Sequence, residues 1–287
     1  MKNHKHLILL TAISLLGVSC SNLKIKNQNK DMNIIEFKEL KDYDSSKHKE
    51  NKLVDGVLEI TPDGDFNDQW FSDGEGSLQY TDVSGDFLLE TEVSIFRLDG
   101  TDAMPEANFS TGGLLIKKPK YKNSEACWLM YNVGFQAGFW GREFKVTRAN
   151  MDTTVVNPMT QKPASFSTLK LIPTERTEYT KLRLARIDNE FRSYYQDTNG
   201  QWAENDASKV TFTFGWGTEY PIENFNDDIL RPANFGLGDK VQVGIVTNPG
   251  MNPDQEKIQD ISVRDSGARF KYLAIKKIKS FDEALMK

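Results

Sequence analysis

Residues 77–97 read SLQYTDVSGDFLLETEVSIFR, two runs of alternating character separated by Ser84-Gly85-Asp86. Apolar residues do not recur at helical spacing in either run. The stretch predicts strands near Ser77–Asp82 and Phe87–Arg97 with a turn between them. In the second strand Glu90 and Glu92 stand two apart, which puts both carboxylates on one face, about 7 Å from each other. Leu89, Thr91 and Val93 alternate with them, so one face reads as buried and the other as solvated.

The same signature recurs on both sides of this stretch. Strands are expected near Ile34–Leu40, Leu53–Ile60, Gly113–Lys117, Ala126–Val133 and Glu143–Arg148. Further strands are expected near Ser167–Ile172, Tyr179–Ile187, Phe191–Gln196, Val210–Phe214, Val241–Thr247 and Phe270–Ile278. Asp55-Gly56 and Thr198-Asn199-Gly200 carry hairpin-turn chemistry. Only the tail SFDEALMK reads as a short helix, with Ser280 as N-cap and acids in its first turn. Many short strands without alternating helices or a repeat period predict an all-β fold, an antiparallel β-sandwich or barrel. No Pro- or Gly-rich linker divides the chain after about residue 34, so residues 34–287 are expected as one domain. Three connections exceed a simple turn: Leu98–Ser110, Asn150–Phe166 and Gly215–Gly238, the kind of loop that carries function on a sheet scaffold.

At the start of the chain, basic Lys2 and Lys5 precede the apolar run Leu7–Leu16, which is too short to span a bilayer. Residues 1–19 read as an export signal. Leu16-Gly17-Val18-Ser19-Cys20 resembles a bacterial lipobox, in which the Cys is lipidated and becomes the new N-terminus; Gly17 stands where a large apolar residue is usual. Ordinary cleavage after Ser19 is the alternative. The polar stretch that follows, residues 20–33, suits a tether, and acyl chains on Cys20 would hold the domain at a bacterial membrane, at the cell envelope.

Composition then closes several routes. Removing residues 1–19 takes two lysines and no acid, leaving 34 basic against 41 acidic residues, a net charge of −7. Such a surface argues against nucleic acid or anionic lipid as partner. Beyond Cys20 the exported chain has one Cys, Cys127, and one His, His48. A disulfide within the domain, a thiolate zinc cluster and a His-rich metal site are therefore out of reach. A nucleophile–His mechanism would depend on His48, which lies in the polar run DYDSSKHKEN and reads as a solvated loop residue.

Taken in order, FNDQWFSDGEGSLQYTDVSGDFLLETEVS, TGGLLIKK, ACWLMYNVGF, KLRLARIDNEFRSYYQDTNGQWAE and VQVGIVTNP resemble a concanavalin A-like jelly roll. Within that fold the pattern resembles a bacterial domain of unknown function related to the C-terminal module of family 43 β-xylosidases. Tyr80–Phe87 fits that group's Tyr-x-x-Val-x-Gly-Asp-Phe step, and Gly112-Gly113-Leu114 replaces its Ala-Gly-Leu. Asp197–Trp202 keeps the Gly and Trp of its Asp-Gly-x-x-Trp turn with one extra residue. The resemblance implies a two-sheet sandwich and a carbohydrate or polysaccharide partner, and leaves catalysis open.

The candidate ligand-binding residues are Trp140, Arg142, Glu143, Tyr131, Tyr194 and Trp216. A sugar's C–H face stacks on aromatic rings while Arg, Asn and carboxylates bond its hydroxyls, and YNVGFQAGFWGREF gathers such groups between glycines. Trp140 and Trp216 read equally as binding or core residues, whereas Trp202 and Phe87 read as packing. Glu90 and Glu92 have the separation of an inverting acid–base pair. Family 16-type glucanases on this fold carry Glu-x-Asp-x-Glu, and Ser94 stands in the third acidic place here. Tyr131, Tyr194, Arg142 and Arg192 are the residues a polysaccharide lyase would recruit. In TPDGDFNDQWFSDGE, residues 61–75, the EF-hand pattern fails because Asp68 occupies the Gly position and Gly74 the final Glu position. A looser calcium site from Asp63, Asp65 and Asp68 is the remaining metal reading; otherwise no cofactor is expected. The expectation is a lipid-anchored, exported protein that binds carbohydrate without cleaving it. The alternatives are a glycoside hydrolase or polysaccharide lyase with a divergent site, and a structural partner in a surface complex.

Overall fold

Residues 77–97 fold as the two expected strands, yet those strands do not pair with each other. The turn between them, with Gly85 at φ 69°, carries the chain from one sheet to the other. The computed structural model describes residues 32–63, 69–70, 75–101, 103–120, 127–135, 142–150, 165–172, 178–206, 212–215, 236–250 and 265–286. In chain order the strands are β1 (Asn33–Ile35), β2 (Lys41–Asp42), β3 (His48–Val54), β4 (Val57–Pro62), β5 (Ser77–Ser84) and β6 (Phe87–Arg97). Next come β7 (Ser110–Lys117), β8 (Cys127–Phe135), β9 (Arg142–Asn150), β10 (Ser165–Ile172) and β11 (Thr180–Ile187). The last are β12 (Glu190–Gln196), β13 (Trp202–Glu204), β14 (Phe212–Gly215), β15 (Lys240–Asn248) and β16 (Ser266–Lys276).

The first sheet runs β13-β12-β11-β6-β16-β4-β3, with β1 also on β16; the second runs β14-β10-β9-β8-β7-β15-β5-β2. Each pairing recorded is antiparallel, so the fold is the all-β antiparallel sandwich that the sequence leads one to expect. Alternation decides what lies between the sheets. Leu89, Val93 and Ile95 of β6 and Leu182 and Leu184 of β11 meet Leu114, Ile116, Leu129, Val243 and Ile245 from the second sheet. Burying one such side chain stabilises by roughly 1.5–3 kcal/mol, and the closed layer keeps both sheets registered.

Local chemistry explains the joints. Asp55 at φ 50° and Gly56 at φ 82° form the two-residue turn of the β3–β4 hairpin. At the β12–β13 turn, Asp197 Oδ1 accepts from the backbone N–H groups of Asn199 and Gln201 at 2.9 and 2.8 Å. Two expectations are corrected. The stretch 34–40 is not one strand: after β1, a 3₁₀ turn over Phe37–Glu39 redirects the chain to β2 in the other sheet. His48 is not a loop residue but opens β3, its side chain 10% exposed and its Nε2 3.4 Å from Asp42 Oδ2. The tail is the expected short helix, of 3₁₀ type over Phe281–Leu285, with Ser280 at its N-cap position and no side-chain capping bond. Five residues are too few for a stable α-helix.

In β16 the register shifts between Phe270 and Leu273. Both residues face the core, so the bulge turns the intervening Tyr272 toward the opposite face. That redirection matters for Glu90.

Candidate functional site

Each sheet has an outer face, and the two differ in chemistry. On the first sheet, Lys52, Glu59 and Arg269 form a ladder of ion pairs at 3.6 and 2.7 Å, and Lys271 holds Glu92. Glu90 and Glu92 share this face, as strand geometry requires. Glu90 is not solvated: it is 1% exposed, with Oε2 2.7 Å from Arg183 Nε and Oε1 accepting from Tyr272 Oη at 2.6 Å. Arg183 also stacks 3.8 Å over the Trp202 ring and donates through Nη1 to the carbonyls of Ala284 and Met286, each at 2.7 Å. The tail thus lies across β11, β12 and β13 and seals the pair. Both Glu90 oxygens are bound by the protein itself, and a general acid or base must instead reach the reacting atom.

The second sheet's outer face carries uncharged hydrogen-bonding groups on five neighbouring strands. Asn248 of β15, Thr111 of β7, Asn132 of β8, Thr147 of β9 and Ser167 of β10 are all buried on it. They connect across strands. Asn132 Nδ2 donates to Thr111 Oγ1 at 2.7 Å and approaches Met130 Sδ at 3.5 Å. The hydroxyls of Thr147 and Ser167 lie 2.8 Å apart. Asn248 Oδ1 accepts from the Trp70 N–H at 3.0 Å. Asn132 Oδ1 and Trp128 Nε1 are buried without a hydrogen-bond partner. Gly113 faces Asn132 across β7 and β8, and a Cβ there would fall 2.6 Å from the Asn132 Cα.

Beside this belt lies an aromatic cluster. Trp70, Leu78, Leu115, Trp128, Met130 and Val246 pack together with half-buried Tyr43 and Tyr80 at the rim. The two indoles meet edge to face at 5.7 Å. Trp70 therefore lies on the outer face of the second sheet and packs there, its Nε1 donating to the Ser77 carbonyl at 3.1 Å. Lys117 is buried under the cluster, its Nζ 2.9 Å from Gln242 Oε1 and 4.4 Å from the Tyr43 ring centre. Burial pulls its ammonium down from 10.5 to about 8, and the Glu75 carboxylate acts the other way. Tyr43 donates to Glu75 Oε2 at 2.7 Å, and burial followed by that bond pushes its phenol upward.

Of the proposed binding residues, Tyr131 and Tyr194 lie on opposite sides of the first sheet. Tyr131 lies between the sheets, fully buried and pushed well up in pKa by burial. Tyr194 is fully buried on the outer face of the first sheet, opposite Arg183 and Glu204 in register, so the first sheet stands between the two phenols. Arg142 and Glu143 open β9, paired in register with Phe135 and Gly134. Arg192 pairs with Glu190 at 2.8 Å and covers the Phe281 ring at 4.2 Å, both in the setting of the tail. Trp140 and Trp216 lie outside the described residues. Asp63 is exposed just after β4, while Asp65, Asp68 and Cys20 lie outside the described residues. Among the described residues no three His, Cys, Asp or Glu side chains gather as a metal site requires.

The sequence reading gathers Asn132 in YNVGFQAGFWGREF but passes over Thr111, Thr147, Ser167 and Lys117. The signal was there, in polar residues at alternate places of otherwise apolar strands such as CWLMYNVGF. It was masked because both faces of these strands are buried, so polarity did not mark the solvent side.

No protein-family model matches the sequence, and no curated protein matches it. Among solved structures, the chain is similar to a functionally unknown protein from Saccharomyces cerevisiae, at 10% identity and a TM-score of 0.45, covering 84% of this chain and 95% of that one. It is also similar to the carbohydrate binding module CBM66 from Bacillus subtilis, at 11% identity and a TM-score of 0.37, covering 85% and 98%. A third similarity is to the GH43 protein BlXynB from Bacillus licheniformis, at 14% identity and a TM-score of 0.35, covering 82% of this chain and 40% of that one. These are likenesses of layout at low identity, and no residue role is carried over from them.

Proposed function

We propose that this protein is an exported, lipid-anchored carbohydrate-binding protein of the cell envelope, and that it holds its ligand on the outer face of the second sheet. The observation that carries the reading is the belt from Asn248 to Ser167: uncharged donors and acceptors on five adjacent strands, on the face opposite the apolar core. Sugar hydroxyls are bonded by amides and hydroxyls of this kind, and Tyr43 and Tyr80 at the rim supply rings for the C–H faces. Support for binding without cleavage comes from the carboxylates weighed as an acid–base pair, since Glu90 and Glu92 lie on the first sheet and each is engaged by a cation of that same sheet. Affinity electrophoresis and calorimetry against a polysaccharide panel test the reading. Retarded migration with at least one glycan is expected, and silence across the panel overturns it. Lipidation at Cys20 is tested separately: Cys20→Ala should move the protein from the membrane fraction to the soluble fraction, and unchanged partition would remove the anchor.

A further inference from the structure

The first sheet ends, beyond β4, in an open strand. β3 is outermost there, and every residue from Lys49 to Val54 is exposed, Leu53 at 60% and Val54 at 42%. An uncovered edge offers its N–H and C=O groups to any strand that can match them. What β3 can match follows from the phase of its hydrogen bonds and from its charges.

The β3–β4 turn fixes the phase. Asp55 and Gly56 both have positive φ, as a type I′ hairpin turn requires, and such a turn is closed by a bond between its flanking residues. Val54 and Val57 are therefore a hydrogen-bonded pair, and bonded and non-bonded pairs alternate away from them. Lys52 bonds with Glu59, while Leu53 and Asn51 stand in non-bonded pairs with Leu58 and Ile60. The backbone groups of Asn51 and Leu53 thus point away from β4, to the open edge.

Charge then selects the register. Antiparallel pairing of β3 with β3 of a second copy joins outward groups to outward groups when centred on Glu50, Asn51 or Lys52. Centred on Glu50 or on Lys52, a charge meets its own kind, which is destabilising. Centred on Asn51, Glu50 of each copy lies opposite Lys52 of the other, and Leu53 lies opposite Lys49, whose methylene stem can cover it. Glu50 and Lys52 already lie 3.2 Å apart within one copy, and Lys52 lies 3.6 Å from Glu59, so the pairing would extend the ladder of ion pairs on the outer face. Lysines on the edge and the bulge between His48 and Glu50 discourage indiscriminate pairing, and they leave this self-complementary register open.

We propose that β3 is a twofold interface between copies of this chain, centred on Asn51, which joins two first sheets into one continuous sheet. The axis stands perpendicular to the sheet, so both copies turn the outer face of the second sheet to the same side. On the carbohydrate-binding reading, the pair would offer two such faces to one polymer and gain avidity without new contacts. The interface itself does not depend on that reading.

Sedimentation velocity of the Cys20→Ala chain over a range of concentrations, with no glycan present, tests the proposal. A reversible monomer–dimer equilibrium is expected, and a monomer at every concentration up to about 100 μM overturns it. Asn51→Pro removes an N–H that β4 does not use, so it should abolish dimerisation while the urea midpoint stays close to the natural value. Glu50→Lys sets like charges opposite each other on both sides of the twofold and should weaken association about tenfold or more. Adding Lys52→Glu should restore it. A dimer that survives Glu50→Lys, or that the double exchange fails to rescue, refutes the interface, and these surface variants decide the matter should Asn51→Pro fail to fold. Under mild oxidation Asn51→Cys should cross-link the two copies and Leu53→Cys should not; the reverse result refutes the register.

Discussion

Glu90 keeps both carboxylate oxygens occupied at 1% exposure, one by Arg183 and one by Tyr272. Removing one partner of such a pair leaves an unmatched buried charge. Arg183→Met should therefore lower unfolding free energy by about 3–5 kcal/mol in urea titrations, far more than an exposed pair is worth. Lys117 gives a pH signature of the opposite sense. Its folded value lies near 8 and its unfolded value near 10.5, so between these the unfolded chain holds a proton that the folded one has released. The cost of burying the charged amine is fully present below pH 8 and is relieved as pH rises toward 10.5. The natural protein should accordingly gain stability over that window relative to Lys117→Met, as read from urea midpoints at several pH values. Equal pH dependence of the two would remove the burial argument.

At the scale of elements, the tail and the β16 bulge act on the same charge. The bulge turns Tyr272 to Glu90, and the segment Phe281–Leu285 brings two carbonyls to Arg183. Deleting residues 280–287 should lower the urea midpoint. It should also shrink the cost of Arg183→Met, because a pair opened to water is worth less; a double-mutant cycle measures the coupling, and strict additivity would argue against it. This is also where reading from sequence reached its limit. Alternation placed Leu89 and Val93 in the core and Glu90 with Glu92 on one face. It could not reveal that Glu90 is covered, because the cover arrives from a segment some 190 residues later. Parity alone would send Tyr272 inward with Phe270, and only the register shift reverses it. The Asp55-Gly56 and Asn199-Gly200 turns were legible because positive φ demands particular residues. Of the aromatics chosen for their chemistry, Tyr131 is packed between the sheets and Tyr194 is buried on the outer face of the first, positions that alternation in an apolar run does not distinguish from a binding face.

For the molecule as a whole, residues 33–287 form one compact unit whose two sheets share the layer between them. Ile245→Ala in that layer should cost about 2–5 kcal/mol. Unfolding followed by near- and far-ultraviolet circular dichroism should show one transition, whereas separated transitions would mean that the sheets melt independently. Cys127, its thiol 4% exposed in the same layer, offers a third probe: its labelling in a Cys20→Ala background should track that transition. The strand order has a further consequence. β16, at residues 266–276, stands inside the first sheet and pairs with β1, β4 and β6, which all precede it by more than 160 residues. A nascent chain can therefore not close that sheet until nearly all of it has been synthesised. For a chain exported as proposed above, the keystone strand would join the sheet only after crossing the membrane.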